Sequence, residues 1–283
     1  MTKHYPNLVK TTINIQGKLI SLAKPIVMGI INVTPDSFYQ NSRTSTVKSA
    51  LAMAEQMISE GATLLDVGGF STRPGAKEVT EAEEINRVIP VIKGILTTFP
   101  EALISVDTFR ARVAEQCIAA GAVMINDITA GSEPAMLPLV AQSKIPYIIM
   151  HMRGPVTNMM ADLVYQNLLL DITKYFQERL TRLKEMGVED VIIDPGFGFS
   201  KSLDQNYEIL KNLTYFEALG TPILVGVSRK SLIYNLLGTT ADEALSGTSV
   251  LNFAALEKGA RILRVHDVKE TMDTIKIFNK INS

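Results

Sequence analysis

The chain has 283 residues, of which 46% are hydrophobic and 20% are charged. This composition is typical of one large folded domain or two ordinary ones, and it excludes a disordered chain or a fibrous repeat. The 28 basic and 29 acidic side chains leave a formal net charge of -1. No basic excess is therefore present to bind a nucleic-acid backbone, and we expect a small-molecule partner.

The amino-terminal segment and the single cysteine indicate where the protein works. Residues 1–18 contain three lysines but no apolar run of ~7–15 residues, which a signal peptide requires. The longest apolar stretches, such as residues 145–150, are far shorter than the ~20 residues that span a bilayer. Cys117 cannot form an internal disulfide, and its helix-like surroundings predict a buried, inert thiol. These features predict a cytoplasmic protein that does not bind membranes.

Short β-branched runs alternate with segments of helical period along the whole chain. Because the runs are apolar throughout, we expect both faces of each strand to be buried, as in a parallel sheet covered by helices. The predicted strands are residues 26–31, 63–67, 103–106, 123–126, 147–150, 191–193, 223–227 and 262–265. Eight such units in this length favour the ~250-residue (β/α)8 barrel, or TIM barrel, over an open doubly wound α/β sheet.

The segments between the strands complete this picture. Residues 47–59 and 82–96 show the 3.6-residue period of amphipathic helices, and a longer helix is predicted at 163–186. Glycines a few residues before the strands are typical of helix ends; they are Gly61, Gly121, Gly187, Gly220 and Gly259. Upstream of the barrel, residues 11–15 and 18–22 predict a hairpin that covers its amino end. No linker is evident, so residues 1–283 are assigned to one domain.

In a barrel of this kind, the chemistry collects where the strands end. Polar side chains stand at the end of every predicted strand. In chain order they are Asn32, Asp66, Asp107, Thr108, Asn126, Asp127, His151, Asp194, Ser228, Arg229, Lys230, Arg264 and His266. Single members also have structural interpretations: Asp107 or Asp127 as helix N-caps, Asp66 as an acceptor for the amides of its own loop, and His151 as a core histidine.

Two kinds of side chain meet at this predicted mouth. Acids, an amide and a lysine suit a flat heterocycle with adjacent N–H groups and a carbonyl; they are Asp107, Asn126, Asp194 and Lys230. Cations and small polar groups suit a phosphate or diphosphate, with Mg²⁺ to offset charge; they are Asn32, Thr72, Arg73, Arg264 and His266. The sequence therefore predicts a mouth with two compartments.

Seven motifs carry a family resemblance. They are GIINVTPDSF (29–38), DVGGFSTRPG (66–75), SVDT (105–108), ND (126–127), DPGFGF (194–199), GVSRKS (226–231) and RVHD (264–267). In this order, and over residues 26–277, they resemble the dihydropteroate synthases, which belong to the pterin-binding enzymes. Each motif alone is weak evidence, but seven in register are highly specific.

The resemblance implies a function and a role for each matched residue. Dihydropteroate synthases are transferases of folate biosynthesis that join a dihydropterin methyl diphosphate to p-aminobenzoate. The implied pterin ligands are Asp107, Asn126, Asp194 and Lys230. The implied diphosphate ligands are Thr72, Arg264 and His266, with Asn32 on Mg²⁺ and diphosphate. The implied p-aminobenzoate contacts are Phe38, Arg73, Pro74, Phe197 and Ser228. Lys230, Arg264, His266 and Asn32 are the candidate catalytic residues.

A dissociative displacement fits these side chains. An electron-rich dihydropterin shares the positive charge of its exocyclic carbon, so diphosphate departs ahead of attack by the aryl amine and no protein nucleophile is needed. Electrostatic stabilisation of the leaving group then lowers the barrier. Residues 33–45 and 68–77 are rich in small and polar residues, and we expect them to close over the mouth and exclude water.

Three departures from the family pattern concern loops. Tyr39-Gln-Asn-Ser42 replaces the usual Ser-Asp-Gly-Gly, and Arg153 replaces glutamine in His-Met-Gln-Gly, which predicts an extra cation near the mouth. Ser200 replaces glycine in Gly-Phe-Gly-Lys, where a serine is expected to strain a backbone that glycine tolerates. None of these positions belongs to the implied pterin or diphosphate ligands.

Three other functions compete with this interpretation. A Schiff-base aldolase would use Lys230 as its nucleophile, with a pKa depressed by Arg229 and burial. A corrinoid-type methyltransfer domain would share the barrel and the pterin carboxylates. A binding paralogue would keep the pterin pocket without turnover. The resemblance also implies a homodimer, because members of the family form dimers through barrel helices. The helices predicted at 245–257 and 268–279 carry apolar positions that suit such an interface.

Overall fold

Eight parallel strands close into a barrel in which each strand pairs with its neighbours in the chain and the last pairs with the first. The computed structural model describes residues 9–33, 43–70, 79–154 and 163–283. The barrel strands are β3 (Ile26–Asn32), β4 (Leu64–Gly68), β5 (Ile104–Asp107), β6 (Met124–Asp127), β7 (Tyr147–Met150), β8 (Val191–Asp194), β9 (Ile223–Val225) and β10 (Ala260–Val265). The predicted (β/α)8 barrel is confirmed.

Helices follow the barrel strands and cover the outer face of the barrel. They are α1 (Arg43–Glu60), α2 (Glu81–Thr98), α3 (Ala111–Ala119), α4 (Met136–Ser143), α5 (Leu168–Glu185), α6 (Leu203–Lys211), a 3-10 helix (Leu213–Leu219), α7 (Ser231–Leu237), α8 (Leu245–Glu257) and α9 (Val268–Ile281). Cys117 on α3 is fully buried, and burial raises the pKa of its thiol to about 12, as expected for an inert cysteine. In the part of the chain that the structure describes, none of the helices has the length and apolar character needed to cross a bilayer.

The helix predicted at 163–186 begins later than expected. The observed helix α5 starts at Leu168, and Asn167 caps it by accepting a hydrogen bond from the amide of Leu170 at 3.1 Å. The carboxylate of Asp171 in the first turn also accepts from the amide of Gln166. The helical periodicity of the sequence extends across this boundary, but a capping asparagine fixes the backbone in an extended conformation at residue 167.

Successive residues of each strand point alternately into the barrel and toward the helices, as strand geometry requires. One apolar cluster lines the interior and includes Met28, Leu64, Met124, Ile148, Ile192, Leu224 and Ile262. Their neighbours pack with helix residues in a second, larger cluster; they include Val27, Leu65, Ile125, Ile149, Ile193, Val225 and Leu263. A residue two positions beyond an interior residue therefore also faces the interior, one layer closer to the carboxyl end.

The predicted hairpin is present as β1 (Thr12–Ile15) and β2 (Lys18–Ser21), which pair antiparallel. Ile13, Ile15 and Leu22 are buried in the same interior cluster as the early residues of the barrel strands. Lys10 and the amide of Asn14 bind the carboxylate of Asp190, which directly precedes β8, at 2.7 and 3.1 Å. The hairpin thus closes the amino end of the barrel, so a ligand would enter at the carboxyl end.

Candidate active site

Strand pairing places three of the predicted site residues in one row at the carboxyl mouth. Asn32 pairs with Gly68, Gly68 with Asp107, and Asp107 with Asn126 across four adjacent strands. Gly68 suits this row, because a Cβ atom there would lie 3.3 Å from the Cβ atom of Asp107, and Asp107 would have to shift by a few tenths of an ångström. The absence of that side chain keeps space above Asp107 at the level where a ligand would enter.

Arg264 links strands that are not neighbours. Its strand, β10, pairs with β3 and β9, but its guanidinium reaches past β3 to two carboxylates on β4 and β5. Nε donates to Oδ2 of Asp66, and Nη2 donates to Oδ2 of Asp107, both at 2.6 Å. These charge-assisted hydrogen bonds cross the mouth and bring the three side chains together over the barrel axis.

Asp66 joins a fourth strand, β6, to this network. Its Oδ2 also accepts from Nδ2 of Asn126 at 2.9 Å, and the side chain is fully buried. Its Oδ1 is buried without a hydrogen-bond partner among the described residues. Among the described residues, the donors to Asp66 are side chains from other strands, and none is an amide of its own loop. The two-residue spacing from interior Leu64 is the sequence signal that identifies it as an interior residue.

Asp107 lies in an unusual electrostatic position. Burial raises the pKa of its carboxyl to about 7, although the charge of Arg264 opposes this change. The carboxylates of Asp66, Glu84 and Asp127 raise the pKa further. With 24% of its side chain exposed, Asp107 is the member of the Arg264 network most open to the mouth. It can present a hydrogen-bond acceptor to a ligand.

Asp194 and Lys230 form the other half of the mouth. Oδ1 of Asp194 accepts from the amide of Gly196 at 2.8 Å, and burial raises the pKa of its carboxyl against the lowering effect of Lys230. Nζ of Lys230 donates to the carbonyl of Phe197 at 2.6 Å and lies 4.5 Å from the ring centroid of Phe199. Burial lowers the pKa of Lys230 to about 8, opposed mainly by Asp194.

An apolar wall stands beside this polar floor. Ile128, Met150 and Met152 form a separate buried cluster with the rings of Phe109 and Phe199. All five follow the carboxyl ends of β5, β6, β7 and β8 or close those strands. The site thus has acids, an amide and cations on one side, and thioethers and aromatic rings on the other. Such a site suits a flat, polar heterocycle.

Ser228 and His266 lie together after β9 and β10. Oγ of Ser228 accepts from the amide of His266 at 3.2 Å and lies 3.0 Å from Nδ1 of the same residue. Arg229 turns away from the mouth and binds the carboxylate of Asp267 through Nε and Nη2 at 2.9 and 2.7 Å. The suggestion that Arg229 depresses the pKa of Lys230 is therefore wrong, because the cation that does so is Arg264.

Two polar residues of the predicted mouth face the helix layer instead. The hydroxyl of Thr108 donates to buried Glu84 of α2 at 2.7 Å. Asp127 accepts from the hydroxyl of Tyr147 at 2.6 Å and from the amides of Thr129 and Gly131. Asp127 thus shapes its own loop, and neither it nor Asp107 caps a helix, because the N-cap residues of α3 and α4 are Arg110 and Ala135.

His151 is a core histidine. It is almost fully buried, and burial lowers the pKa of its ring to about 2. Its Nδ1 lies 3.0 Å from Nζ of Lys201, which also donates to the carbonyls of His151, Gly196 and Phe199. Burial lowers the pKa of Lys201 to about 7. This buried lysine, which the sequence did not single out, ties the loop after β8 to the end of β7.

The extra cation predicted near the mouth, Arg153, follows the carboxyl end of β7 and is tied to the start of α5. The guanidinium of Arg153 donates to the carbonyl of Val164 and to the carboxylate of Asp171, and it stacks 4.0 Å from the ring centroid of Tyr165. It is thus held beside the start of α5, where, in addition to burial, its positive charge contributes to lowering the pKa of Lys201. The expectation for Ser200 is confirmed, since its φ of 51° lies in the left-handed region that favours glycine.

Several predicted residues fall outside the described part of the chain. These are Phe38, Thr72, Arg73 and Pro74, together with the Tyr39 to Ser42 departure and most of the two loops expected to close. Phe197 is described: its side chain is fully buried in the large core cluster, and its carbonyl faces Lys230. A contact between its ring and p-aminobenzoate, like the role of each other site residue, stays a prediction.

The residues present are compatible with a magnesium ion held partly by substrate. Within the described ranges, no group of three or more histidine, cysteine or acidic side chains could enclose a metal. The half-buried Asn32 closes β3 at the mouth, and its amide oxygen is a hard donor of the kind that Mg²⁺ prefers. Mg²⁺ usually takes few protein ligands and completes its shell with water and phosphate oxygens. A single amide beside a diphosphate site fits that pattern.

Comparison with known proteins identifies the family. A family model described as "Pterin binding enzyme" matches residues 28–266, which include the described residues of this mouth from Asn32 to His266. The dihydropteroate synthase of Escherichia coli (strain K12) is 43% identical over 264 residues, which cover 93% of both chains. The chain belongs to the dihydropteroate synthase family.

Solved structures of other members agree with this assignment. The Yersinia pestis dihydropteroate synthase in complex with a sulfonamide drug is 40% identical, with a TM-score of 0.89, and the match covers 96% of this chain and 99% of that one. The Xanthomonas albilineans enzyme in complex with 7,8-dihydropteroate is 36% identical, with a TM-score of 0.87 over 96% and 99%. The predicted family, fold and enzyme class, a transferase of folate biosynthesis, are confirmed.

Proposed function

We propose that this dihydropteroate synthase condenses (7,8-dihydropterin-6-yl)methyl diphosphate with 4-aminobenzoate, releasing 7,8-dihydropteroate and diphosphate. The observation that carries this proposal is the network in which Arg264 reaches from β10 to Asp66 on β4 and Asp107 on β5. It gathers one cation and two acids from three separate strands into one mouth. The relative from X. albilineans, which is 36% identical, is described with 7,8-dihydropteroate bound.

The pterin ring would lie between the polar floor and the apolar wall. Asp107 and Asp194 would accept hydrogen bonds from ring N–H and amino groups, and Asn126 would accept and donate beside them. Nζ of Lys230 already donates to one carbonyl, that of Phe197, and an ammonium has three donors, so a ring oxygen or nitrogen can share it. Thioether and aromatic groups on the other side would cover a ring face.

Arg264 serves both compartments of the mouth. Two of its donors are used by Asp66 and Asp107, and a guanidinium carries five in total. The remaining donors, together with His266 and Thr72, would bind the departing phosphates. Asn32 would hold Mg²⁺, which when bound offsets negative charge on the diphosphate. Positively charged groups placed in advance at the leaving group are typically worth about 3–4 kcal/mol of transition-state stabilisation each.

The bond changes follow from this arrangement. The bond between the exocyclic carbon and the diphosphate oxygen breaks first, and its electron pair leaves with the diphosphate. The dihydropterin ring takes up the resulting positive charge, and Asp107 and Asp194 stabilise it at the floor of the site. The neutral amine of 4-aminobenzoate then forms the new carbon–nitrogen bond, and the proton that its nitrogen loses passes to water or to the released diphosphate. Because an aryl amine is uncharged at neutral pH, this chain needs no strong general base.

4-Aminobenzoate would enter last, beside the diphosphate compartment. Ser228, which lies beside His266, would contribute to its site, with Phe38, Arg73, Pro74 and Phe197. Closure of residues 33–45 and 68–77 would exclude water that competes with the amine. The Y. pestis relative is described with a sulfonamide drug bound, and we propose that sulfonamides also bind this chain.

The reaction is tested directly by its product. With both substrates and Mg²⁺, the purified protein should form 7,8-dihydropteroate and diphosphate in equal amounts, measured by chromatography and by a phosphate-release assay. Omission of 4-aminobenzoate should abolish dihydropteroate, and Lys230→Ala should lower kcat/KM by roughly 100-fold or more. A folded protein that binds the pterin but makes no product would instead support the catalytically inactive paralogue.

The Schiff-base aldolase remains testable on the same protein. Such an enzyme would share a lysine with a lowered pKa at the mouth of a barrel. Borohydride treatment with a carbonyl substrate should leave the mass of the protein unchanged under our proposal. A stable adduct on Lys230 would favour the aldolase.

We further propose that the chain forms a homodimer through its outer helices. Exposed apolar side chains lie on three of the last helices: Leu236 and Leu237 on α7, Val250 on α8, and Ile277 and Ile281 on α9. Such groupings mark association surfaces. Light scattering should give twice the mass of one chain, and Val250→Asp combined with Ile277→Asp should give a monomer, whereas Leu19→Asp at the opposite end should not.

A further inference from the structure

Two of the departures from the family pattern, Arg153 and Ser200, contact each other. Ser200 follows β8 and Arg153 follows β7, and 47 residues separate them in the chain. The hydroxyl of Ser200 donates to the carbonyl of Arg153 at 2.7 Å and accepts from the amide of Arg153 at 3.0 Å. Only main-chain atoms of Arg153 take part, and the serine is fully buried. A glycine at position 200 could make neither of these two hydrogen bonds.

The backbone of Ser200 is held in a conformation that costs energy. Its φ is 51°, and a left-handed conformation is unfavourable for a residue with a Cβ atom. Besides the two bonds to Arg153, the hydroxyl of Tyr165 donates to the carbonyl of Ser200 at 2.8 Å. Three hydrogen bonds therefore fix the position of a single residue between two loops and the start of α5. We call the pair of bonds between Ser200 and Arg153 the loop latch.

The latched loop carries the groups that hold Lys230. Three residues before Ser200, the carbonyl of Phe197 accepts from Nζ of Lys230 at 2.6 Å. One residue before it, the ring of Phe199 lies 4.5 Å from the same nitrogen. One residue after it, Nζ of Lys201 binds the carbonyls of Gly196 and Phe199. Displacement of Ser200 would thus move both contacts of the Lys230 ammonium.

We propose that Ser200 is a positioning residue for Lys230 in this chain. The loop latch holds the Phe197 carbonyl and the Phe199 ring in place, and these hold the lysine ammonium where the dihydropterin binds. This inference rests on the proposed function of Lys230. Because the role proposed for Lys230 is a hydrogen bond to the pterin ring, we expect Ser200 to act on the binding of the dihydropterin diphosphate more than on the bond-breaking step.

Three variants separate the latch from backbone strain and from the Arg153 side chain. Ser200→Gly removes the latch and relieves the left-handed strain, whereas Ser200→Ala removes the latch and keeps the strain. R153Q retains both main-chain bonds and serves as the matched control. Thermal unfolding of each variant is measured first, because the strain acts on stability and should make the alanine variant the less stable of the two.

The expected result is a KM effect without a matching kcat effect. Both Ser200 variants should raise KM for the dihydropterin diphosphate by roughly three- to tenfold, from the loss of one to two hydrogen bonds, with kcat within about twofold. Reductive methylation of Lys230, followed by mass spectrometry, should be faster in both. R153Q should match the wild type in both measurements.

Other results would overturn the inference. If Ser200→Gly is folded and retains the KM and the methylation rate of the wild type, the latch does not position Lys230. If the alanine variant alone is impaired, strain and not the latch is responsible. A wild-type protein that makes no dihydropteroate would contradict the proposed function, and the methylation comparison would still decide the role of the latch.

Discussion

A single oxygen atom of Asp66 holds two side chains that we assign to the substrates. Oδ2 accepts from Nδ2 of Asn126 and from Nε of Arg264, at 2.9 and 2.6 Å. The hydrogen bond to Arg264 is charge-assisted, and both contacts fix the orientation of the side chain that donates. Asp66 therefore orients one proposed pterin ligand and one proposed diphosphate ligand from a fully buried position.

Asp66→Asn should impair catalysis more than it impairs folding. The substitution keeps the shape but removes the charge that fixes Arg264, which costs about 1.5–3 kcal/mol for a hydrogen bond to a charged group. We expect kcat/KM to fall by roughly 10- to 100-fold, measured by product formation. Ser105→Ala is the matched control. Ser105 on β5 pairs with Asp66 on β4, and its buried hydroxyl has no hydrogen-bond partner among the described residues. Equal effects of the two substitutions would contradict the role given to Asp66.

The ionisation of Lys230 should appear in the pH dependence of the reaction. Burial lowers its pKa to about 8, so the donating ammonium is present below that pH and is lost above it. Since kcat/KM reports the free enzyme, it should fall about tenfold per pH unit above pH 8. Lys230→Arg stays protonated and should lack this alkaline limb, even at reduced activity. An unchanged limb in that variant would assign the titration to another group.

At the scale of secondary-structure elements, strand parity determines which polar residues reach the mouth. The sequence placed polar residues at the ends of all eight strands, and the structure confirms the strands to within a few residues. Asp66, Asn126 and Asp194 each stand two residues beyond an interior apolar residue, whereas Asp127 is of the opposite parity and faces the helices. The glycines after Asp66 favour a loop acceptor in the sequence. Its two-residue spacing from Leu64, however, identifies it as an interior residue.

Contacts between loops could not be predicted in this way. The link between Ser200 and Arg153, and that between Lys201 and His151, depend on how two loops approach each other after the barrel has closed. No local period encodes that approach, and a hydrogen bond from a side chain of one loop to the main chain of a distant loop leaves no spacing signal. The sequence therefore predicted the left-handed strain at residue 200 but not the partner that stabilises it.

The hairpin is an element that should affect stability without affecting chemistry. Ile13 is fully buried in the barrel interior, whereas Leu19 on the paired strand is 67% exposed. Ile13→Ala should lower the free energy of unfolding by about 2–5 kcal/mol, and Leu19→Ala should change it by less than about 0.5 kcal/mol. Urea unfolding measures both values. We expect kcat/KM of the folded variants to match the wild type, and a loss of activity in stable Ile13→Ala would show that the amino end affects the mouth.

At the scale of the whole molecule, the barrel separates stability from function between its two ends. The hairpin and the apolar interior close one end, and the interior positions become polar toward the other. The strand β8 carries both roles: Asp190 precedes it and binds Lys10 and the hairpin, whereas Asp194 ends it beside Lys230. Two aspartates at opposite ends of one strand thus have different functions.

Asp190 and Asp194 offer the most direct test of the claim that the carboxyl mouth binds the pterin. The affinity for 6-hydroxymethyl-7,8-dihydropterin, which lacks the diphosphate, is measured by titration calorimetry for Asp194→Asn and Asp190→Asn. We expect Asp194→Asn to weaken binding by roughly 10- to 100-fold, because a charged acceptor is lost. Asp190→Asn should leave the affinity within about twofold. Unchanged affinity in folded Asp194→Asn, or an equal loss in both variants, would contradict this account.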